Sequence, residues 1–224
     1  MRPSAFLFDL DGTLLDTERT WAVAIRDYLA DRGASATVEH ILSVVFGHSW
    51  LDIHRSLFTL FPDAADPVAA TMAKDLRPYY LRQIDDPKRQ IIPDSVAALK
   101  RLARLAPVAI VSGSPRQDVE AAVDLIDARK EVAFVLGAED YPHGKPAPDG
   151  FLAAASRLNV PPATCVVFED SPIGVQSAKA AGMYCVALDR TGACTVELCR
   201  TADLLLPSLE LFKGTEPFDT LPTP

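Results

Sequence analysis

The chemistry in this chain is densest at Asp9-Leu10-Asp11-Gly12-Thr13, where two carboxylates stand two positions apart at the end of the apolar run Phe6-Leu7-Phe8. In an extended strand that spacing points both side chains to one side, where their repulsion favours a cation between or beside them. Gly12 lets the chain turn without a Cβ penalty, and Thr13 adds a hydroxyl and a backbone N–H at the same point. A divalent metal and an anionic group could meet there. Asp-x-Asp-Gly also occurs in solvated turns and in calcium loops. A calcium loop, however, continues with oxygen ligands, and this one continues with Leu14-Leu15.

Strands and helices must alternate to position such groups, and the sequence predicts that they do. Continuous apolar runs at Val108 to Val111, Phe134 to Leu136, Cys165 to Phe168 and Tyr184 to Leu188 follow the first strand, with a last short strand at Leu204-Leu205-Leu206. Between them lie helical periodicities: Val96, Leu99 and Leu102, with Asp94 or Ser95 at the start; Val119, Val123 and Ile126; Phe151 to Leu158; and Ile173 to Ala181, closed by Gly182. Apolar strands separated by amphipathic helices predict an α/β fold with a parallel sheet covered on both faces. From Thr17 to Lys88 the pattern is helical throughout, beginning with Trp21, Ile25, Tyr28 and Leu29 behind a cap at Asp16 or Thr17 and reaching Gly33. Breaks at Gly47-His48-Ser49, Phe61-Pro62-Asp63 and Asp66-Pro67 divide it. The expected organisation is a core of residues 1–16 and 89–213, an all-helical insertion over 17–88, and a loose tail over 214–224 rich in Pro and Thr.

Ligands of an open parallel sheet bind beyond the carboxyl ends of its strands. Those ends carry Asp9 and Asp11, Ser112-Gly113-Ser114 and Glu169-Asp170-Ser171, and a further loop carries Gly144-Lys145-Pro146-Ala147-Pro148-Asp149. Singly, each has a plain explanation: a common turn, a solvated loop charge, a helix cap at Asp170 or Ser171. Together they offer carboxylates for a metal, a hydroxyl and an amide for an anion, and one lysine.

The ordered set Asp9-Leu10-Asp11-Gly12-Thr13, Ser112-Gly113-Ser114, Gly144-Lys145-Pro146 and Glu169-Asp170-Ser171 resembles the four motifs of the haloacid dehalogenase-like hydrolase superfamily. The helical insertion is similar to the small cap of its phosphoglycolate phosphatase and β-phosphoglucomutase branch. The resemblance implies a Rossmann-like doubly wound parallel sheet of strand order 3-2-1-4-5. It implies Asp9 as a nucleophile that becomes an aspartyl phosphate, and Asp11 as the acid and base that serves the leaving alcohol and then the attacking water. Magnesium would be held by the Asp9 carboxylate, the Asp11 carbonyl and Asp170, with Glu169 directly or through water. Thr13, Ser112, the Gly113 N–H and Lys145 would contact the phosphoryl oxygens, and the cap would close over the site.

Within that superfamily the residues rank the chemistries. A dehalogenase needs no metal, so intact Asp11 and Asp170 oppose that reading, and the insertion lacks a lysine placed for Schiff-base chemistry. A β-phosphoglucomutase shares Glu-Asp-Ser but usually carries an arginine where Trp50 stands, a phosphate clamp that an indole cannot replace, leaving Arg55, Arg82 or Arg116 as the residues that could substitute. The expected activity is a magnesium-dependent phosphatase acting on a small phosphorylated metabolite such as a sugar phosphate. The mutase is the alternative, and a catalytically inactive binding protein, expected to have lost one of Asp9, Asp11, Lys145 or Asp170, is a minor one. His48, Trp50, Glu18 and Arg116 are the candidates for leaving-group contacts, with Arg116 equally able to pair with a neighbouring acid, and Trp21 fits the apolar face of its own helix.

Composition sets the outer bounds. The chain has 224 residues, 49% hydrophobic and 23% charged, enough for a sizeable core. Thirty acids against 22 bases give a net charge of -8, which disfavours nucleic acid and anionic membrane as partners. The first apolar run already contains Asp9, so a removable leader is not expected, and no stretch is long and apolar enough to span a membrane. Cys165, Cys185, Cys194 and Cys199 form no CxxC pair, which points to a reducing cytoplasm.

Overall fold

A computed structural model describes residues 2–45, 50–84, 86–190 and 200–214. Two compact units compose the chain, Met1–Leu15 with Ile91–Pro224, and Asp16–Gln90. The first is built on a parallel sheet: β1 (Ala5–Phe8), β2 (Val108–Val111), β3 (Val132–Leu136), β4 (Cys165–Glu169), β5 (Tyr184–Leu188) and β6 (Leu204–Leu206), in the order β3-β2-β1-β4-β5-β6. The expected order is therefore found, extended by β6 at one edge. In register, Leu7 stands between Ala109 on β2 and Val167 on β4, so β1 is central and all four of its residues are buried.

The period of two in a strand sorts these residues onto two faces. Phe6, Phe8, Val108, Ile110, Val166, Phe168 and Val186 pack on one face with Val96, Leu99, Leu102, Val119 and Val123. Those last residues come from α5 (Pro93–Leu102) and α6 (Arg116–Leu125). Ala5, Leu7, Ala109, Val111, Cys165, Val167, Cys185 and Ala187 pack on the other face with Phe151, Ala154, Val175 and Ala178, from α7 (Asp149–Leu158) and α8 (Pro172–Ala180). Apolar burial on both faces explains why the strands read as uninterrupted hydrophobic runs.

The second unit is helical among its described residues: α1 (Glu18–Ala30), α2 (Val38–Val45), α3 (Trp50–Leu60) and α4 (Ala69–Arg82). They pack around Ile25, Tyr28, Leu29, Ile41, Leu57, Met72 and Leu76. Trp21 stacks on Tyr80 at 4.1 Å between ring centroids, as its place on the apolar face predicts. The breaks read at Phe61-Pro62-Asp63 and Asp66-Pro67 separate α3 from α4, while Gly47-His48-Ser49 lies outside the described residues.

Two expected helix starts need correction. Thr17 occupies the N-cap position of α1 but makes no side-chain capping bond there. At α5 the N-cap position is Ile92, followed by Pro93, whose missing N–H removes one of the donors a cap would satisfy. Asp94 instead accepts hydrogen bonds from Ser208 Oγ at 2.8 Å, Leu209 N at 3.2 Å and Arg190 Nη1 at 3.1 Å, tying α5 to the segments that follow β5 and β6.

Candidate active site

Asp9 is the first residue past β1, and its backbone N–H donates to the Phe168 carbonyl at 3.0 Å, so the β1–β4 pairing itself sets its position. The turn that follows is closed by Leu14 N–H to Leu10 O at 2.8 Å and Gly12 N–H to Leu15 O at 2.7 Å. Gly12 has a φ of +82°, in the left-handed region, and a Cβ there would lie 1.9 Å from Asp170 Oδ2. Only glycine lets this turn lie against the Asp170 carboxylate. Thr13, fully buried, donates from Oγ1 to Asp170 Oδ1 at 3.1 Å.

Lys145 reaches the same place from the loop before α7. That loop is held by Ala147 N–H to Gly144 O at 3.0 Å and by Ser177 Oγ on α8 donating to the Ala147 carbonyl at 2.6 Å. The Lys145 ammonium donates to Asp9 Oδ1, to Glu169 Oε1 at 2.5 Å and to the Val111 carbonyl at 3.3 Å. Glu169, with no exposed surface, uses its other oxygen to accept from Asp170 N at 3.1 Å, Ser171 N at 3.2 Å and Ser171 Oγ at 2.9 Å. Ser171 also caps α8, accepting from Gly174 N at 3.1 Å. Gly174 is required because a Cβ there would come within 1.9 Å of the Glu169 carboxyl carbon.

Two carboxylates, Asp9 and Glu169, therefore share one ammonium, with Asp170 beside them. One ligand oxygen each of Asp9, Glu169 and Asp170 lies within 4.8 Å of the others. Burial pushes the Asp9 carboxyl well above its ordinary range, the Lys145 ammonium opposes that shift, and Glu169 and Asp11 add to it. Burial would lower the Lys145 ammonium, but Asp9 and Glu169 more than reverse this and hold it above its ordinary value. The excess of negative charge and the hard oxygen donors suit a divalent cation such as magnesium, and the cradle that Gly12 leaves for Asp170 fits that use.

The β2 end supplies hydroxyls. Ser112 N–H donates to the Leu136 carbonyl at 3.0 Å, and Ser112 O accepts from the buried Tyr141 hydroxyl at 2.7 Å. Asp11 Oδ2 accepts from Ser112 Oγ at 3.3 Å and from Ser114 Oγ at 2.8 Å. Gly113 is exposed between them with open space where a Cβ would be, so backbone crowding does not demand glycine there.

Asp9, Asp11, Thr13, Ser112, Lys145, Glu169 and Asp170 are thus gathered at one end of the sheet by contacts among themselves. Arg116 takes the plainer of its two expected partners: its Nε donates to Asp140 Oδ2 at 2.9 Å, and its backbone N–H donates to Glu139. Trp50 donates from Nε1 to the Ala69 carbonyl at 3.2 Å within the helical unit, Glu18 lies in the first turn of α1, and His48 lies outside the described residues. Sequence reasoning assigned no role to Ser114 or Tyr141. Ser114 repeats the Ser112 hydroxyl two positions on, a spacing that could have drawn attention, whereas Tyr141 carries no signal of its own.

Comparison with known proteins agrees with this geometry. A family model described as haloacid dehalogenase-like hydrolase matches residues 3–182. Fructose-1-phosphate phosphatase YqaB of Escherichia coli is 33% identical over 191 residues, 83% of this chain and 96% of that protein. Validoxylamine A 7'-phosphate phosphatase of Streptomyces hygroscopicus subsp. limoneus is 30% identical, over 91% of this chain and 92% of its own. Among solved structures, β-phosphoglucomutase from Clostridium difficile shares the fold with a TM-score of 0.75 at 24% identity, covering 94% of this chain and 93% of that one.

Proposed function

The chain belongs to the haloacid dehalogenase-like hydrolases, and from that premise we propose that it hydrolyses small phosphate monoesters, sugar phosphates foremost, through an aspartyl phosphate on Asp9. Its class is that of a phosphoric monoester hydrolase. The observation that carries the mechanism is the Asp9 carboxylate buried at the end of β1 in contact with Lys145, with Asp170 and Thr13 beside it. An oxygen of Asp9 forms a bond to phosphorus as the ester oxygen leaves, and Asp11 gives that oxygen its proton. Water then attacks the acyl phosphate, Asp11 takes the water's proton, and inorganic phosphate leaves with Asp9 restored. Lys145, Thr13, Ser112 and the Gly113 N–H serve the phosphoryl oxygens, where charge is spread during transfer. Magnesium held by Asp9, the Asp11 carbonyl and Asp170 would supply further charge neutralisation and align the phosphoryl group.

Residues 17–88 act in this reading as a cap that excludes bulk water and reads the leaving group, with Trp50 and Glu18 on it. The relatives' names support a phosphorylated polyol or sugar as substrate, and the buried, unpaired thiols of Cys165 and Cys185 are consistent with a reducing cytoplasm. The likeness to a phosphoglucomutase concerns fold alone. Trp50, whose indole N–H is committed to the Ala69 carbonyl, offers no guanidinium for a second phosphate.

The test is incubation with magnesium and a panel of phosphate monoesters that includes fructose 1-phosphate and β-glucose 1-phosphate, following inorganic phosphate and glucose 6-phosphate together. Phosphate release that disappears in Asp9→Asn and on chelation is expected. Glucose 6-phosphate formed without matching phosphate, in the presence of a trace of bisphosphate, would instead make the enzyme a mutase. No turnover of any ester would leave the binding-protein reading.

A further inference from the structure

The two serines at the end of β2 differ in how many demands fall on one proton. Ser112 Oγ accepts from Ser114 N–H at 3.0 Å and points its only donor at Asp11 Oδ2, 3.3 Å away. A hydroxyl has one proton to give, so when Ser112 turns to a phosphoryl oxygen its bond to Asp11 is lost. Ser114 Oγ, at 2.8 Å from the same Asp11 oxygen, has the shorter contact. Its backbone is fixed independently, because Ser114 O accepts from Ala138 N–H at 3.0 Å, pinning the turn to the segment after β3.

We infer that Ser114 is a positioning residue for Asp11: it holds Oδ2 by a hydrogen bond in the substrate complex and so directs Oδ1 to exchange the proton with the leaving oxygen and then with water. This rests on the reading of Asp11 as acid and base. Orientation counts because a general acid works only within hydrogen-bond reach of the atom it protonates. Removing the Ser114 hydroxyl leaves Asp11 chemically intact but without the bond that aims Oδ2. The loss then depends on how much the leaving group needs a proton, which a merely structural lesion would not produce.

The experiment compares kcat/KM for a sugar phosphate and for p-nitrophenyl phosphate, whose phenolate leaves without a proton, in the wild type, Ser114→Ala, Ser114→Thr and Asp11→Asn. Ser114→Ala is expected to lose about tenfold on the sugar phosphate and less than about threefold on the nitrophenyl ester, with Ser114→Thr restoring most of the loss. Equal losses on both esters, no loss on either, or a Thr variant as selective as Ala would overturn the inference. Asp11→Asn is the control for the premise. If it shows no leaving-group selectivity, the acid assignment itself fails; if it does and Ser114→Ala does not, only the role of Ser114 fails.

Discussion

Lys145 Nζ lies 2.5 Å from Glu169 Oε1, so the lysine in contact with Asp9 is shared with a carboxylate that has no exposed surface. The other Glu169 oxygen is engaged by two backbone N–H groups and the Ser171 hydroxyl. Glu169 in this arrangement steadies the ammonium and the start of α8, while Asp170 accepts from Thr13 Oγ1 at 3.1 Å and is the carboxylate of the pair we propose as a metal ligand.

Glu169→Gln keeps the acceptor for the α8 amides but weakens the hold on Lys145. Turnover is expected to fall at least tenfold while the magnesium concentration for half-maximal rate changes less than about threefold, whereas Asp170→Asn should raise that concentration more than about tenfold. Magnesium titrations of phosphate release with both variants check this. A large shift in Glu169→Gln would instead make Glu169 a direct ligand.

Gly12→Ala places a methyl group 1.9 Å from Asp170 Oδ2 at a φ of +82°. Backbone strain of about 1 kcal/mol and displacement of the carboxylate act together. Activity should be lost almost entirely while the variant stays folded, with its denaturation midpoint lowered. Circular dichroism and phosphate release from the same preparation separate the two effects.

Tyr141→Phe removes the hydroxyl that donates to the Ser112 carbonyl at 2.7 Å. The buried carbonyl loses a donor, at a cost of about 1–2 kcal/mol in unfolding free energy. The turn carrying Ser112 loosens as well, so kcat should fall several-fold. Urea titration and steady-state kinetics give the two numbers.

Asp94 supplies a pH signature of stability separate from catalysis. Burial would raise its carboxyl, but hydrogen bonds from Ser208, Arg190 and Leu209 N–H outweigh that and hold it below the ordinary value. A depressed folded value means the stabilisation is present above the unfolded carboxylate value of about 3.9 and is lost as pH falls through the folded one. Asp94→Asn should therefore lower the unfolding free energy near neutral pH by about 2 kcal/mol, and the gap from wild type should narrow between about pH 5 and pH 3. A gap independent of pH would show that the ionised form contributes nothing.

The central strands were legible because they are buried on both faces and so carry unbroken apolar runs, and the rule that ligands gather beyond strand ends drew attention to Asp9, Asp11, Ser112 and Asp170. Lys145 was legible as the one lysine in a proline-stiffened loop between β3 and β4. What escaped depends on tertiary neighbours. Asp94 meets Ser208 across 114 positions, and Tyr141 meets Ser112 across 29. No local pattern encodes those pairings. Helix starts were misread where an acidic residue in the first turn found a distant partner instead of a local N–H, as at Asp94.

The two faces of the sheet differ in grain. One is lined by Phe6, Phe8 and Phe168, and the other by Ala5, Ala109, Ala187, Cys165 and Cys185. Small side chains let α7 and α8 lie close against the strands, and those are the helices whose first turns follow the Lys145 loop and the Glu169-Asp170 pair. The fine-grained face is thus a jig for catalysis and the coarse one a keel for stability. Widening the first, as in Ala109→Val, would register in turnover as well as in melting temperature, whereas trimming Phe212 on the second would register in melting temperature alone.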